Sequence, residues 1–386
     1  MKKLFAACFT VYFLLQLGFA KAETDSSAIR ISLLTCTPGA ELYSVFGHSA
    51  LRVVDSAAGT DIVYNYGTFD FNDPDFYTKF VRGKLMYFVS QVSYPDFIFE
   101  YQYFKRGVVE QVLHLSPIKK KKIQSFLFEN IREENRYYKY DFLYDNCTTR
   151  LRDIIFQKEE NSIVEVPMIV ESGQTFRDHL HYYLNRAEMK WTALGIDLLL
   201  GIGADMPMDN MESMFLPDFL MKGISSARVD NVKLESDKII QVKDLQSIPL
   251  QSSFFVTPLF IISLLSFLLL IPSFGFIKNT TLGLLADRIL FISTGLLGIF
   301  LLFMWLGTDH ESFSKNINLI WAFPLNIFFS FRLNAINKRM QQFFKIWSLM
   351  ILILIAVSLS FLGMINMALY PLMLLMSYRY WMLSKK

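Results

Sequence analysis

The sequence predicts an α+β domain followed by an α-helical transmembrane bundle of about five helices, on three observations. Short runs of alternating apolar and polar residues lie between Ile29 and Ser116, apolar content rises sharply near residue 250, and lysines and arginines collect on one side of the apolar runs beyond it. The balance of 38 Lys and Arg against 35 Asp and Glu gives a formal charge of +3, much of it explained by topology, so nothing argues for nucleic acid as a partner.

Before the domain comes "MKKLFAACFTVYFLLQLGFAKAE", with two lysines, an apolar run and Ala20-Lys21-Ala22. This reads as a removable secretory signal over residues 1–22. Cys8 leaves with it, and the mature chain keeps Cys36 and Cys147. Period-two alternation in "IRISLLT", "SALRVVD", "DIVYNYG" and "VVEQVLHLS", punctuated by Pro38-Gly39 and Gly59, predicts strands. A helix starts at Pro117 after Ser116, with Ile118, Ile123, Phe126, Leu127 and Ile131 on one side. A second starts around Asn146 to Thr148 and runs through "RLRDIIFQ". Residues 23–160 thus form the α+β domain, residues 161–250 a less regular membrane-proximal region, and residues 251–386 the membrane domain, with no internal repeat.

A helix needs about 20 apolar residues to span a bilayer core. Five runs qualify, roughly Phe254 to Ile277, Leu284 to Gly307, Ile317 to Leu333, Phe344 to Gly363 and Ile365 to Leu383. The second carries Asp287 and Arg288, and the third carries Pro324 and is the shortest. With the N-terminal domain outside, Arg332, Lys338, Arg339, Lys345, Arg379, Lys385 and Lys386 all fall inside, as the positive-inside rule asks.

The chemistry centres on "YDNCTTRLRD". Asp145 or Asn146 caps the helix that follows and sets Cys147 in its first turn, where the helix dipole and free N–H groups favour a thiolate. In "YSVFGHSALRV", Gly47 lets the chain turn and His48 opens a strand; Asn65 lies in the next strand, where its carbonyl can orient the imidazole. Cys147 as nucleophile, His48 as base and Asn65 as third member make a papain-like set with the order of its parts permuted. A Cys36–Cys147 disulfide in an oxidising compartment is the structural alternative. His114, His179 and His181 read as packed or solvated; His179 and His181 are two apart and splay on a helix, no HExxH or CxxC occurs, and no metal or other cofactor is expected. Lys119 to Lys122 read as a solvated helix face or a contact for anionic lipid.

"LLTCTPGAELYSVFGHSALRV", "YNYGTFDF", "YDNCTTRLRD", "GIDLLLGIGAD" with "MFLP", and "TDHESFSKNINLIWAFPLN" together resemble the Lnb family, lipoprotein N-acyltransferases of Bacteroidota. The resemblance implies an exported domain of permuted papain-like type with Cys147 as nucleophile and His48 as base. Asn65 is assigned only by the adjacency of its strand. It also implies a phospholipid acyl donor, a diacylated lipoprotein acceptor, and a multi-pass inner-membrane protein with its catalytic domain in the periplasm. Asp309, His310 and Asn318 in the outward loop, and Asp197 and Asp205 in an apolar stretch, are candidates for binding the head group or the acceptor ammonium. A membrane-anchored thiol hydrolase, acting on cell-wall peptides or phospholipid, would use the same dyad. A lipid or lipoprotein binder would instead keep the disulfide.

Overall fold

The computed structural model describes residues 28–158, 162–246, 253–273, 280–360 and 363–386; the export signal expected at 1–22 lies outside them. The alternating runs become β1 (Ile29–Cys36), β2 (His48–Asp55) and β3 (Thr60–Thr68), followed by β4 (Met86–Ser93), β5 (Val108–Leu113) and β6 (Tyr137–Lys139). Three short strands, β7 (Val164–Glu165), β8 (Arg228–Val229) and β9 (Val232–Lys233), pair separately, and β10 (Glu235–Val242) rejoins the main sheet. The seven strands lie in the order β10-β5-β1-β2-β3-β4-β6, every neighbouring pair antiparallel. The sheet thus takes its edge strand β10 from the region expected to be separate and membrane-proximal.

Among the described residues seven α-helices belong to this part: α1 (Phe76–Val81), α2 (Tyr94–Tyr103), α3 (Pro117–Asn130), α4 (Cys147–Phe156), α5 (Phe176–Arg186), α6 (Lys190–Leu199) and α7 (Pro217–Ser226). On one face of the sheet Ile31, Leu33, Leu51, Val53 and Tyr64 meet Leu127, Leu151, Ile155 and Leu220 of α3, α4 and α7. On the other, Leu34, Ala50 and Val63 meet Phe97 and Tyr101 of α2. The helix at Pro117 is capped by Ser116, as expected, but its buried side is Lys119, Lys120, Ile123 and Leu127, whereas Ile118 and Phe126 are exposed. Half of the lysine run is therefore interior: Lys119 Nζ reaches the Gln157 carbonyl, and burial lowers the pKa of Lys120. A further core unites Phe176, Leu180, Leu184, Ala193 and Phe215, giving α5 and α6 an interior of their own.

The apolar runs become α8 (Pro258–Leu270), α9 (Thr280–Leu306), α10 (Asn326–Arg332), α11 (Lys338–Ser360) and α12 (Tyr370–Leu383). Of these, α9 and α11 are each long and apolar enough to cross a bilayer. The third run departs from a continuous helix: a 3₁₀ turn at Ile317–Ile320 gives way to loop before the seven-residue α10. Pro324 lacks the N–H that a continuous helix would use. The interrupted backbone packs against α9, where a Cβ on Gly298 would stand 2.0 Å from the Ala322 carbonyl oxygen, and Trp347 Nε1 donates to the Ile320 carbonyl at 2.7 Å. Irregular backbone at membrane depth survives where protein covers it and satisfies its polar groups. Asp287 is neutralised by Arg379 of α12, whose Nε and Nη2 meet its carboxylate at 2.5 and 2.6 Å.

Both loops assigned to the outside by charge lie against the N-terminal domain. Gly201 N–H donates to the Ser312 carbonyl at 2.8 Å, in a fit so close that a Cβ on Gly201 would overlap the Ser314 carbonyl oxygen at 1.6 Å. Asn366, in the loop before α12, donates to Asp197 at 2.7 Å.

Candidate active site

The site begins with a helix start. Asn146, not Asp145, caps α4: its Oδ1 accepts from the Thr148 and Thr149 N–H groups at 2.8 and 3.0 Å, and Thr149 Oγ1 accepts from the Asn146 N–H at 2.8 Å. The Asn146 side-chain amide also donates to the carbonyls of Phe142 and Phe215, fixing the cap between two loops. Cys147 is thereby the first residue of the helix, half-buried, and its own N–H meets no acceptor among the described residues. Asp145 instead pairs with Arg150.

His48 opens β2 after Gly47, which takes φ +83° and sits too close to the Cys36 carbonyl for any side chain. Its Nε2 lies 3.1 Å from Asn65 Oδ1, so Nδ1 is the ring nitrogen left to hydrogen-bond Cys147. The register explains the reach: β2 and β3 are antiparallel neighbours under α4, and β3 breaks its pairing with β4 between Asn65 and Thr68. In that break Gly67 takes φ +85°, and a Cβ there would stand 3.4 Å from Cys147 Cβ and 3.9 Å from the Tyr140 ring. A residue with a side chain would strain the backbone and intrude beside the sulfur.

Burial on its own would raise the Cys147 pKa. The charge and hydrogen bond of His48, the Ser49 N–H and the Thr148 hydroxyl outweigh it, and the thiol lies below its ordinary value. Burial would likewise lower the His48 pKa, but the facing thiolate and the hydrogen bonds to Cys147 and Asn65 raise it. Each of the two groups favours the charged form of the other. Cys36 behaves oppositely. It is a free thiol, fully buried beside Phe97 and Tyr101, and burial pushes its pKa up to about 12. Cys147 is also unbridged, so the expected alternative of a Cys36–Cys147 disulfide is absent from the structure.

Two family models match the chain: the Lnb N-terminal periplasmic domain over residues 17–173 and the Lnb transmembrane domain over residues 250–386. The chain belongs to the Lnb family. As in that family's architecture, a periplasmic α+β domain is carried by a helical membrane domain. No curated protein and no solved structure matches this Lnb chain.

The remaining candidates are all engaged by other residues of the chain. Asp197 and Asp205, expected to receive an ammonium from substrate, are both held by the buried Arg177, whose Nη1 meets Asp197 at 2.6 Å and whose Nε meets Asp205 at 2.7 Å. His181 and Asn366 complete the shell of Asp197. An isolated carboxylate in an apolar stretch is costly, and the chain itself supplies the cation. Asn318 is buried and donates to the Asp197 carbonyl at 3.1 Å, joining two loops. Asp309 pairs with Lys139 at 2.9 Å, and His310 Nε2 lies 3.0 Å from the Phe80 carbonyl. Of the histidines read as packed or solvated, His179 stacks on Phe219 at 4.0 Å and His114 is exposed.

Sequence reasoning passed over Ser312 and Asp141. Ser312 Oγ donates to the Asp141 carboxylate at 3.1 Å, and Asp141 in turn accepts from the Leu143 and Tyr144 N–H groups, within the turn that leads into Asn146 and Cys147. The outward loop thus grips the segment carrying the thiol. A serine and an aspartate so far apart in the chain offer no local pattern that would pair them.

Proposed function

We propose that this protein is a lipoprotein N-acyltransferase of the inner membrane. Its periplasmic domain would be of permuted papain-like type, with Cys147 as nucleophile, His48 as acid and base, and Asn65 orienting the imidazole. The observation that carries this reading is a thiol at a helix start with His48 and Asn65 aligned against it, on a turn held by a membrane-domain loop. Family membership points the same way.

The Cys147 thiolate attacks a glycerophospholipid ester carbonyl. The ester C–O bond breaks, His48 gives its proton to the departing glycerol oxygen, and a lysophospholipid leaves an acyl thioester behind. The unpartnered Cys147 N–H is placed to donate to the oxyanion of the tetrahedral intermediate. The free α-amine of a diacylglyceryl-cysteine lipoprotein then attacks the thioester. The C–N bond forms, the C–S bond breaks, and neutral His48 takes the amine proton, restoring the ion pair. Holding both lipid-anchored reactants at one membrane surface replaces a three-dimensional search with orientation.

The test uses the full-length protein in phospholipid vesicles. Phospholipid alone should load an acyl group on Cys147 and release fatty acid slowly. A diacylated lipopeptide with a free N-terminal amine should discharge it to a triacylated product, while its N-acetylated counterpart should not. Cys147→Ser should abolish transfer, His48→Ala should cost at least about 100-fold, and Asn65→Ala should cost less. Fatty acid released equally fast with and without the amine, with no triacylated peptide, would establish a phospholipase instead.

A further inference from the structure

Between β3 and β4 the chain runs "TFDFNDPDFYTKFVRGK", and this segment is aromatic and uncovered. Phe71 is 64% exposed, Tyr77 80% and Phe80 50%, on and beside the short α1. These rings do not project singly: Phe76 packs on Phe71 at 5.0 Å and on Phe80 at 6.2 Å, and Phe69 on Phe71 at 4.5 Å. A contiguous exposed patch of this kind marks an interaction surface.

Its position names the partner. The segment is tied to the chain leaving the outer end of α9: Asp309 N–H donates to the Arg82 carbonyl at 3.0 Å, and His310 Nε2 lies 3.0 Å from the Phe80 carbonyl. Helix α9 has 27 residues, a length of about 40 Å against a bilayer core of roughly 30 Å, so its end emerges at head-group level. Leu306, its last residue, is exposed, and Asp309 follows three residues later. The aromatic segment is therefore tied to the outer end of a helix long enough to span, where amphipathic rings partition, and Arg82 and Lys84 are exposed beside it, free to meet lipid phosphates. Among its carboxylates, Asp70 accepts from the Asn72 N–H and Asp73 is neutralised by Lys79 at 2.7 Å.

The patch also leads inward. Phe69 meets Tyr87 at 5.3 Å, Tyr87 stacks on Tyr140 at 4.2 Å, and Tyr140 borders the space beside Gly67 that Cys147 borders from the other side. A series of rings thus leads from the exposed segment to the space beside Gly67 that Cys147 borders.

The geometry points to residues 69–81 as an interfacial lipid-binding element, immersed in the outer leaflet, that takes an acyl chain of the donor phospholipid and lays it along Phe69, Tyr87 and Tyr140 toward Cys147. The destination of the chain rests on the acyltransferase reading; the immersion does not. Immersion is measured on full-length Cys147→Ser protein in vesicles, with an environment-sensitive fluorophore on Tyr77→Cys and, separately, on Ala58→Cys in the β2–β3 turn, at the end of those strands remote from His48. Phosphatidylcholine carrying a nitroxide near the top of its acyl chain should quench the label at 77 at least two-fold more than the label at 58. Equal quenching would overturn the proposal whether or not the protein transfers acyl groups. In the active chain, combined Phe71→Ser, Tyr77→Ser and Phe80→Ser should slow acyl loading of Cys147 from vesicle phospholipid at least ten-fold, with iodoacetamide alkylation of Cys147 checking that the site is intact. Unchanged loading, or an equal loss of loading and alkylation, would overturn it. Strong quenching at 77 without any triacylated product would leave the lipid contact standing and remove the transferase.

Discussion

Replacing Asn146 by alanine tests whether the cap places the nucleophile. The side chain makes four hydrogen bonds. Two are accepted, from the Thr148 and Thr149 N–H groups, and two are donated, to the Phe142 and Phe215 carbonyls at 2.8 and 3.0 Å. Losing an asparagine cap costs about 1 kcal/mol, and each buried carbonyl left without its donor costs about 1–3 kcal/mol more. Asn146 is 3% exposed and Phe215 fully buried, so water does not replace these donors without cost. The sum is ~3–7 kcal/mol for the periplasmic domain, a fall of roughly 6–28 °C in Tm for a unit of this size. Asn146→Ser retains the acceptor for the helix N–H groups and should recover about 1 kcal/mol of the loss. Because Cys147 is the next residue, the alanine variant should also alkylate more slowly with iodoacetamide at neutral pH, as fraying of the first turn carries the sulfur away from His48 and the Ser49 N–H. Thermal unfolding of the detergent-purified chain, followed by intrinsic fluorescence, gives the first quantity, and mass spectrometry of the alkylated protein gives the second. A Tm within about 2 °C of the parent, with unchanged alkylation, would refute the reasoning.

Two further outcomes follow from the charged groups. The Cys147 pKa is lowered, so its thiolate persists below the ordinary thiol value of 9.0 and is lost only as pH falls through the lowered value. The alkylation rate of the parent should therefore inflect below that ordinary value, and in His48→Ala, where burial is unopposed, the inflection should move above it; an inflection that does not move would show that His48 leaves the thiol untuned. Arg177→Met leaves Asp205 without its guanidinium and Asp197 with only His181 and Asn366, at a cost of about 3–5 kcal/mol. Arg177→Lys should recover only part of this, because one ammonium does not reproduce the guanidinium's contacts with both Asp197 and Asp205, and thermal unfolding of the three proteins side by side measures the difference.

The sequence by itself determined those features that neighbours along the chain decide. Alternation marked β1, β2 and β3, Ser116-Pro117 and Asn146 marked two helix starts, and the positive-inside distribution assigned the loops now seen against the periplasmic domain. Cys147, His48 and Asn65 could be nominated because a first-turn cysteine and two strand positions are local patterns. Only the tertiary structure showed that the two thiols sit in opposite surroundings. Burial raises both, and the difference is a histidine brought to Cys147 from a distant strand, while Cys36, opposite that same histidine in the β1–β2 register, is enclosed by apolar side chains. Tertiary structure also supplied the partners of Asp197, Asp205, Asn318 and Asp309. A polar residue in an apolar stretch announces that it needs a partner, but the partner can be a ligand or another part of the chain. Arg177, the Asp197 carbonyl and Lys139 fill that place from elsewhere in the chain. Lys119 and Lys120 turned inward for a related reason: the face a helix buries is set by what packs on it, and α3 lies where Ile123 and Leu127 reach the sheet.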